Sequence, residues 1–237
     1  MQVHVFRDKE MDIKQNYIEA GSGTPLIMLH GNGENCEYFV HQIEYFQKSY
    51  RVIALDTRGH GKTERGTAPF TIAQFAEDLY QFMKMMKIAK AHILGFSDGA
   101  NIAMVFALKY PQCVDKLILN GGNLFPAGVK PAVQIPITVG YKIASLFAKK
   151  SPEAREHAEM LGLMVNDPDL TPEMISQIRS GTLVIAGTKD MIKTRHTELI
   201  ARSIPGAKLM LMKGDHFIAN KRSRMFNRLV EKFLSGE

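Results

Sequence analysis

A chain of 237 residues, 45% apolar and 23% charged, is sized for one large α/β domain with an insertion rather than for two independent domains. A core of that size needs no disulfide staple, and its two cysteines, Cys36 and Cys113, lie far apart and suggest neither a disulfide framework nor a zinc site. The net charge of +6 comes from scattered basic residues, which argues against a nucleic-acid partner. The densest group, Lys221, Arg222, Arg224 and Arg228, shares a helical pattern with Phe226, Leu229, Val230, Phe233 and Leu234 and reads as a solvated helix face. Charges interrupt the first dozen residues, so no signal pattern is seen, and no apolar run approaches the ~20 residues of a membrane span. The expectation is a cytoplasmic protein, monomer or homodimer, that meets a small-molecule substrate and neither nucleic acid nor membrane.

In chain order, Met11 to Ala20 reads as a strand, closed by a turn at Gly21-Ser22-Gly23. Leu26 to Leu29 is a short apolar run that enters His30-Gly31-Asn32-Gly33, the pattern of a buried strand feeding a glycine loop. Cys36 to Gln47 has helical spacing through Phe39, Ile43 and Phe46. Arg51 to Leu55 is a second buried strand, ending at Asp56-Thr57-Arg58-Gly59-His60-Gly61. Ile72 to Met86 is an amphipathic helix with Phe75, Leu79, Phe82 and Met86 on one face. His92 to Leu94 is a third buried strand. It runs into Gly95-Phe96-Ser97-Asp98-Gly99, and a helix continues from Asn101 to Tyr110. Lys116 to Leu119, Thr182 to Ala186 and Lys208 to Met212 are the fourth, fifth and sixth. A helix through Ile200 follows the fifth, and a last helix to Leu234 follows the sixth.

Strands alternating with helices predict a mostly parallel, twisted sheet with helices on both faces. The alternation breaks between Leu124 and Ser180, where helical patterns and prolines replace strands. The expected division is therefore a core of 1–123 and 181–237 with a helical insertion at 124–180.

In open parallel sheets, ligands bind beyond the carboxyl ends of the strands. His30 to Gly33, Asp56 to Gly61, Ser97, Asn120 to Asn123, Asp190 and His216 all fall at such ends. Gly-x-Ser-x-Gly between a strand and a helix marks Ser97 as a candidate nucleophile on a sharp, strained turn, and Gly95 and Gly99 give it room. A serine nucleophile needs a base, a carboxylate to orient that base, and donors for the oxyanion. His216 follows the last strand and can swing over the sheet to Ser97. Of the other seven histidines, His30 and His60 fit better as braces of their glycine loops. His4, His41, His92, His157 and His196 lie away from the strand ends. Asp190 is the expected acid. Its competing role is a helix N-cap, and its rival Asp215 is adjacent to His216, too near in sequence to reach the ring Nδ1. The oxyanion donors are expected to be the backbone N–H groups of Asp98, at a helix start, and Asn32, in a loop opened by Gly31 and Gly33.

With these residues in place the chain resembles the cap-bearing serine hydrolases of the α/β-hydrolase superfamily. The resemblance rests on His30-Gly31-Asn32-Gly33, Asp56-Thr57-Arg58-Gly59-His60-Gly61, Gly95-Phe96-Ser97-Asp98-Gly99, Gly187-Thr188-Lys189-Asp190 and Gly214-Asp215-His216-Phe217, and it spans nearly the whole chain from Ile13. It implies the α/β-hydrolase fold, with the insertion as a helical cap over the site. It also supports Asn32 and Asp98 as backbone oxyanion donors, and it requires no metal or cofactor. Asp98 stands where many members carry Met or another apolar residue, and Ala100 replaces a frequent second glycine. Asp98 thus puts a carboxylate beside the site and disfavours anionic substrates.

The expected reaction is hydrolysis of a small carboxylic ester or related acyl substrate through an acyl-enzyme. Alternatives on the same fold are a carbon–carbon bond hydrolase, a non-hydrolytic lyase and a binding-only receptor. Phe39, Phe125, Met160, Met164, Met191 and Phe217 are candidates for an apolar substrate pocket, simple core being the competing role.

Overall fold

The computed structural model describes residues 2–7 and 12–236. Its strands are β1 (Gln2–Arg7), β2 (Lys14–Ala20), β3 (Pro25–Leu29), β4 (Arg51–Leu55), β5 (Ala91–Phe96), β6 (Val114–Asn120), β7 (Gly181–Gly187) and β8 (Lys208–Met212). They form one sheet in the order β1-β2-β4-β3-β5-β6-β7-β8. β1 and β2 pair antiparallel, as do β2 and β4, and every pairing from β4 onward is parallel. The α-helices are α1 (Val40–Phe46), α2 (Ile72–Met85), α3 (Asp98–Lys109), α4 (Pro131–Phe147), α5 (Pro152–Asn166), α6 (Pro172–Ile175), α7 (Thr194–Ser203), α8 (Ile218–Lys221) and α9 (Ser223–Ser235).

The central strands are buried on both faces, and their alternating side chains feed two cores. Ile27, Leu29, Ile53, Leu55, Ile93, Leu117, Leu119 and Val184 point to the side covered by α2, α3 and α7. Leu26, Met28, Val52, Ala54, Leu94, Phe96, Ile118 and Ile185 point to the opposite side, under α1, α8 and α9. This two-sided burial explains why the inner strands read as continuous apolar runs.

Three sequence expectations are modified. β1 was not expected: its apolar residues Val3 and Val5 face solvent at the sheet edge, so it gives no core signal. The expected strand start at Met11 lies outside the described residues, and β2 begins at Lys14. The helix expected from Cys36 to Gln47 is a 3-10 turn, Cys36–Phe39, continued by α1.

The stretch between β6 and β7 is helical, with α4, α5 and α6 and no strand. Its ends and its middle differ. Leu124, Leu163, Leu170, Ile175 and Ile178 belong to the same core cluster as α2 and α3. α4, by contrast, has no buried residue and packs against α5 outside that core. Two polar clasps hold this outer layer down. Arg65 meets Glu159 of α5 through two 2.6 Å bonds. Asn32 Nδ2 donates to the Met160 carbonyl at 2.8 Å.

Candidate active site

Ser97 lies between β5 and α3 with φ 53° and ψ −120°, one of two described non-glycine residues in the positive-φ region. Holding a serine there costs about 1–3 kcal/mol, which the surroundings must supply. They do so by close packing. A Cβ on Gly99 would sit 2.0 Å from the Leu29 carbonyl oxygen, so α3 starts hard against β3 only because that position is glycine. Ser97 N–H donates to the Asn120 carbonyl at 2.8 Å, and the Ser97 carbonyl accepts from Ala100 N at 2.9 Å. The turn is thereby fixed to β6 on one side and to the first turn of α3 on the other.

The loop after β8 carries His216 over the sheet. Its Nε2 lies 3.0 Å from Ser97 Oγ and its Nδ1 lies 2.7 Å from Asp190 Oδ1. Asp190 and His216 are both buried. Asp190 does not cap α7, whose N-cap is Lys193. Its carboxylate accepts from Ile192 N at 2.9 Å and from Gly187 N at 3.4 Å, which leaves one oxygen edge for the imidazole. Asp215 points elsewhere, binding Lys221 Nζ and Phe217 N at the surface. The His216 ring is held between Phe96, whose centroid is 4.8 Å away, and Gly121. Gly121 has φ +67°, and a Cβ there would come within 2.8 Å of the imidazole Cε1.

The two expected oxyanion donors are brought together and their side chains are joined. Asn32 Nδ2 donates to Asp98 Oδ2 at 3.0 Å as well as to Met160 of α5. Asp98 Oδ1 also accepts from Asn101 Nδ2 at 3.3 Å, and Asn101 is locked to Asn123 by bonds of 3.1 and 2.9 Å. Burial raises the Asp98 carboxyl above its ordinary range, against the opposing effect of Asn32, Asn101 and the His216 ring. Asp167, on the cap side, is raised to about 6 by burial and then by the Asp98 charge. Because one Asn32 amide serves both Asp98 and α5, Asn32→Ala is expected to leave the backbone N–H in place yet cost about tenfold in kcat through a loosened loop. Steady-state kinetics on a soluble ester checks this; an unchanged kcat would show the side-chain bonds to be idle.

The bracing roles expected of His30 and His60 match their contacts. His30 Nδ1–H donates to the Gly31 carbonyl at 2.7 Å while Nε2 accepts from Thr57 N at 3.0 Å. Burial, then the neighbouring His60, lowers His30 to about 4, so it stays a neutral brace. His60 Nδ1 lies 2.9 Å from the Arg58 carbonyl. Arg58 itself is buried and clamps Asp78 with two 2.7 Å bonds. These contacts rigidify the loop after β4, and none of them reaches Ser97.

Of the six candidate pocket residues, Phe39 is fully buried in the core under α1 and belongs to packing. Its helical spacing with Ile43 and Phe46 is the core signal that outweighed the pocket reading. Phe125 meets His196 edge-on at 4.7 Å. Met160 lines a groove with Gly59, Thr63, Arg65 and Phe70. Met164 and Met191 are half-buried, and their backbone carbonyls accept from Gln134 and Lys130. Phe217 is 36% exposed, 5.5 Å from the His216 ring and 5.8 Å from Phe96. Among the described residues, no group of three or more His, Cys, Asp and Glu is placed to hold a metal ion.

Sequence reasoning missed Glu34. Its N–H donates to the Gly31 carbonyl at 3.2 Å and its carboxylate accepts from Gly31 N at 3.2 Å, so it closes the loop after β3 in both directions. The signal was a carboxylate three residues after a loop glycine, the spacing of a reciprocal turn clasp. Burial raises Glu34 to about 7, opposed by the Gly31 N–H and the His216 ring. A folded pKa above the ordinary 4.5 means the native state holds the proton more tightly, so this group withdraws stability as pH rises from about 4.5 to about 7. Glu34→Gln keeps the acceptor and removes the titration. Urea unfolding at pH 5 and pH 8 is therefore expected to show the variant gaining on the wild type at the higher pH. A pH-independent difference would refute this.

Comparison with known proteins gives the family of the chain. The family model described as the alpha/beta hydrolase fold matches residues 24–153. The human serine hydrolase BPHL is 25% identical over 248 residues, covering 94% of this chain and 83% of its own. The 2-hydroxy-6-oxononadienedioate/2-hydroxy-6-oxononatrienedioate hydrolase 2 of Pseudomonas putida is 26% identical over 276 residues, covering 96% of this chain and 94% of its own. The crystal structure of a hydrolase from Pseudomonas aeruginosa PA01 superposes with a TM-score of 0.81 at 24% identity, covering 98% of each chain.

Proposed function

Because the chain belongs to the α/β-hydrolase family, we propose that it is a serine hydrolase of small carboxylic esters working through Ser97, His216 and Asp190. The observation that carries the reading is the Ser97–His216–Asp190 relay, 3.0 and 2.7 Å, built from the ends of three different strands onto a strained serine.

In this mechanism Ser97 Oγ attacks the ester carbonyl carbon while His216 Nε2 takes the hydroxyl proton. Asp190 fixes the Nδ1–H tautomer and stabilises the imidazolium. The carbonyl oxygen becomes an oxyanion that the Asn32 and Asp98 N–H groups stabilise, helped by the start of α3. Collapse breaks the bond to the alcohol oxygen, which leaves with the proton from His216. A water then attacks the acyl-enzyme, gives its proton to His216, and the acid departs as Ser97 recovers its hydrogen.

A second reading is carbon–carbon bond hydrolysis, which the Pseudomonas putida relative favours by its name and its near-complete coverage. The Asp98 carboxyl next to Ser97, buried and bonded to Asn32 and Asn101, offers a dianionic substrate no cationic partner, which favours the ester. A panel of p-nitrophenyl esters and anionic dienoic diketo acids decides between them. Short neutral esters are expected to turn over, and His216→Ala is expected to lose that turnover. Turnover of the diketo acids alone would overturn the ester reading.

A further inference from the structure

The outer face of α4 carries a stripe of large apolar side chains open to solvent. Ile135, Val139, Ile143, Leu146 and Phe147 are 62%, 51%, 54%, 76% and 55% exposed. They recur at helical spacing, so they form one continuous strip along the helix. The strip is presented rather than loose. On the other side of α4, Gln134 Nε2 donates to the Met164 carbonyl at 3.0 Å and the Tyr141 hydroxyl accepts from Asn166 at 3.1 Å, both on α5. At its start, Lys130 N donates to the Met191 carbonyl at 2.9 Å.

The charges around the strip are all of one sign. Residues 130–150 contain Lys130, Lys142, Lys149 and Lys150, all exposed, and no Asp or Glu. Lys142 and Lys149 are two turns apart, and so flank the same side of the strip. Glu159 and Asp167 share a pocket with Tyr141, Ser145 and Ala148 on the side of α4 away from the strip. Glu153 is engaged by the Ser151 hydroxyl, and Glu156 lines the groove beside Gly59 and Arg65 instead of the α4 face.

We propose that α4 is a docking face for an anionic lipid surface, with the apolar strip seated at the acyl boundary and the lysines among the headgroups. An apolar helix face bordered by lysines is what an interfacial helix requires, and the charge complements an anionic leaflet. A second copy of the chain fits less well. Two α4 helices packed across a two-fold axis would bring lysines toward lysines with no carboxylate on either helix to pair them. No described helix is long and apolar enough to cross a membrane, so the contact is peripheral. The inference departs from the sequence expectation of no membrane partner. It is independent of the reaction that Ser97 performs.

The test is co-sedimentation of the full chain with phosphatidylcholine vesicles, with and without about one-third phosphatidylserine. Binding is expected only with the anionic lipid and to weaken as salt rises. Lys142→Glu/Lys149→Glu is expected to lower it by roughly fivefold or more per site. Leu146→Asp, at a largely exposed position, is expected to lower it by at least about tenfold while the thermal unfolding curve stays unchanged. Three results would each overturn the proposal: no vesicle binding by the wild type, binding insensitive to both variants, or a wild-type dimer in sedimentation that Leu146→Asp splits. The last would assign the strip to a second copy.

Discussion

Ser97→Ala is expected to lower ester hydrolysis by about a million-fold while the protein stays folded. Ser97 Oγ is the one hydroxyl 3.0 Å from His216 Nε2, and removing it leaves only the electrostatics of the Asn32–Asp98 pocket to act on the carbonyl. The backbone of the turn does not depend on that oxygen. Ser97 N–H binds Asn120, and the Ser97 carbonyl binds Ala100 and Asn101. Alanine keeps the same Cβ in the same φ 53° conformation, so its stability should lie close to that of the wild type. Kinetics and urea unfolding on one preparation check both halves. A variant that is folded and still active within a few-fold would remove Ser97 from the chemistry.

Asp190→Asn is expected to cost about ten-thousand-fold in kcat with little change in KM. An amide in this place keeps the size of the carboxylate but offers an N–H toward His216 Nδ1 or no charge for the imidazolium. The ring then settles in the wrong tautomer, with its proton on the nitrogen that faces Ser97. The geometry supplies a paired control. Asp215 is adjacent to His216 in sequence, yet it spends its carboxylate on Lys221 and Phe217 at the surface. Asp215→Asn should therefore stay within about twofold of wild-type rates, because it changes only an exposed pair. Pre-steady-state kinetics at a fixed pH separates the acylation step in both variants. If Asp215→Asn carried the loss and Asp190→Asn did not, the assignment of the acid would be reversed.

The parts of this molecule legible in its sequence are those where local and long-range constraints coincide. β4 has the bounds its apolar run indicated, because a strand buried on both faces admits almost nothing else. β8 has them too, although it is a sheet edge with Leu209, Met210 and Leu211 exposed. Ser97, Asp190 and His216 were legible for a related reason: each sits at the carboxyl end of a parallel strand, so the topology itself converges them. β1 was not legible, since an edge strand with Val3 and Val5 in solvent has no buried face to betray it. Glu34 and Asn101 were not legible either, and Asn123 was legible only as a strand-end residue. Their importance comes from hydrogen bonds to Gly31, Asp98 and one another, and polar residues at such spacings are common in loops that do nothing of the kind. Phe39 misled because an aromatic near a glycine loop has the composition of a pocket, while its helical phase with Ile43 and Phe46 sent it into the core. The insertion was recognisable from its prolines and missing strands. Its inner half, from Leu163 to Ile178, merges with the main core, and only its outer half stands off as a separate layer.

The strain at Ser97 gives these parts a common purpose. A serine held at positive φ persists because Gly99 lets α3 meet β3, because Asn120 holds the turn, and because Gly121 leaves space for the imidazole above it. Asn32 adds a link outward, so the loop beside Ser97 and the Met160 turn of α5 share one amide.

If Ser97 is an activated nucleophile, intact-mass spectrometry after treatment with a fluorophosphonate will register it. The wild type should gain a single phosphonyl group, located on Ser97 by peptide mapping, while Ser97→Ala gains none and Asp190→Asn reacts far more slowly. Wild-type protein that stays unmodified, or modification that persists in Ser97→Ala, would contradict the account.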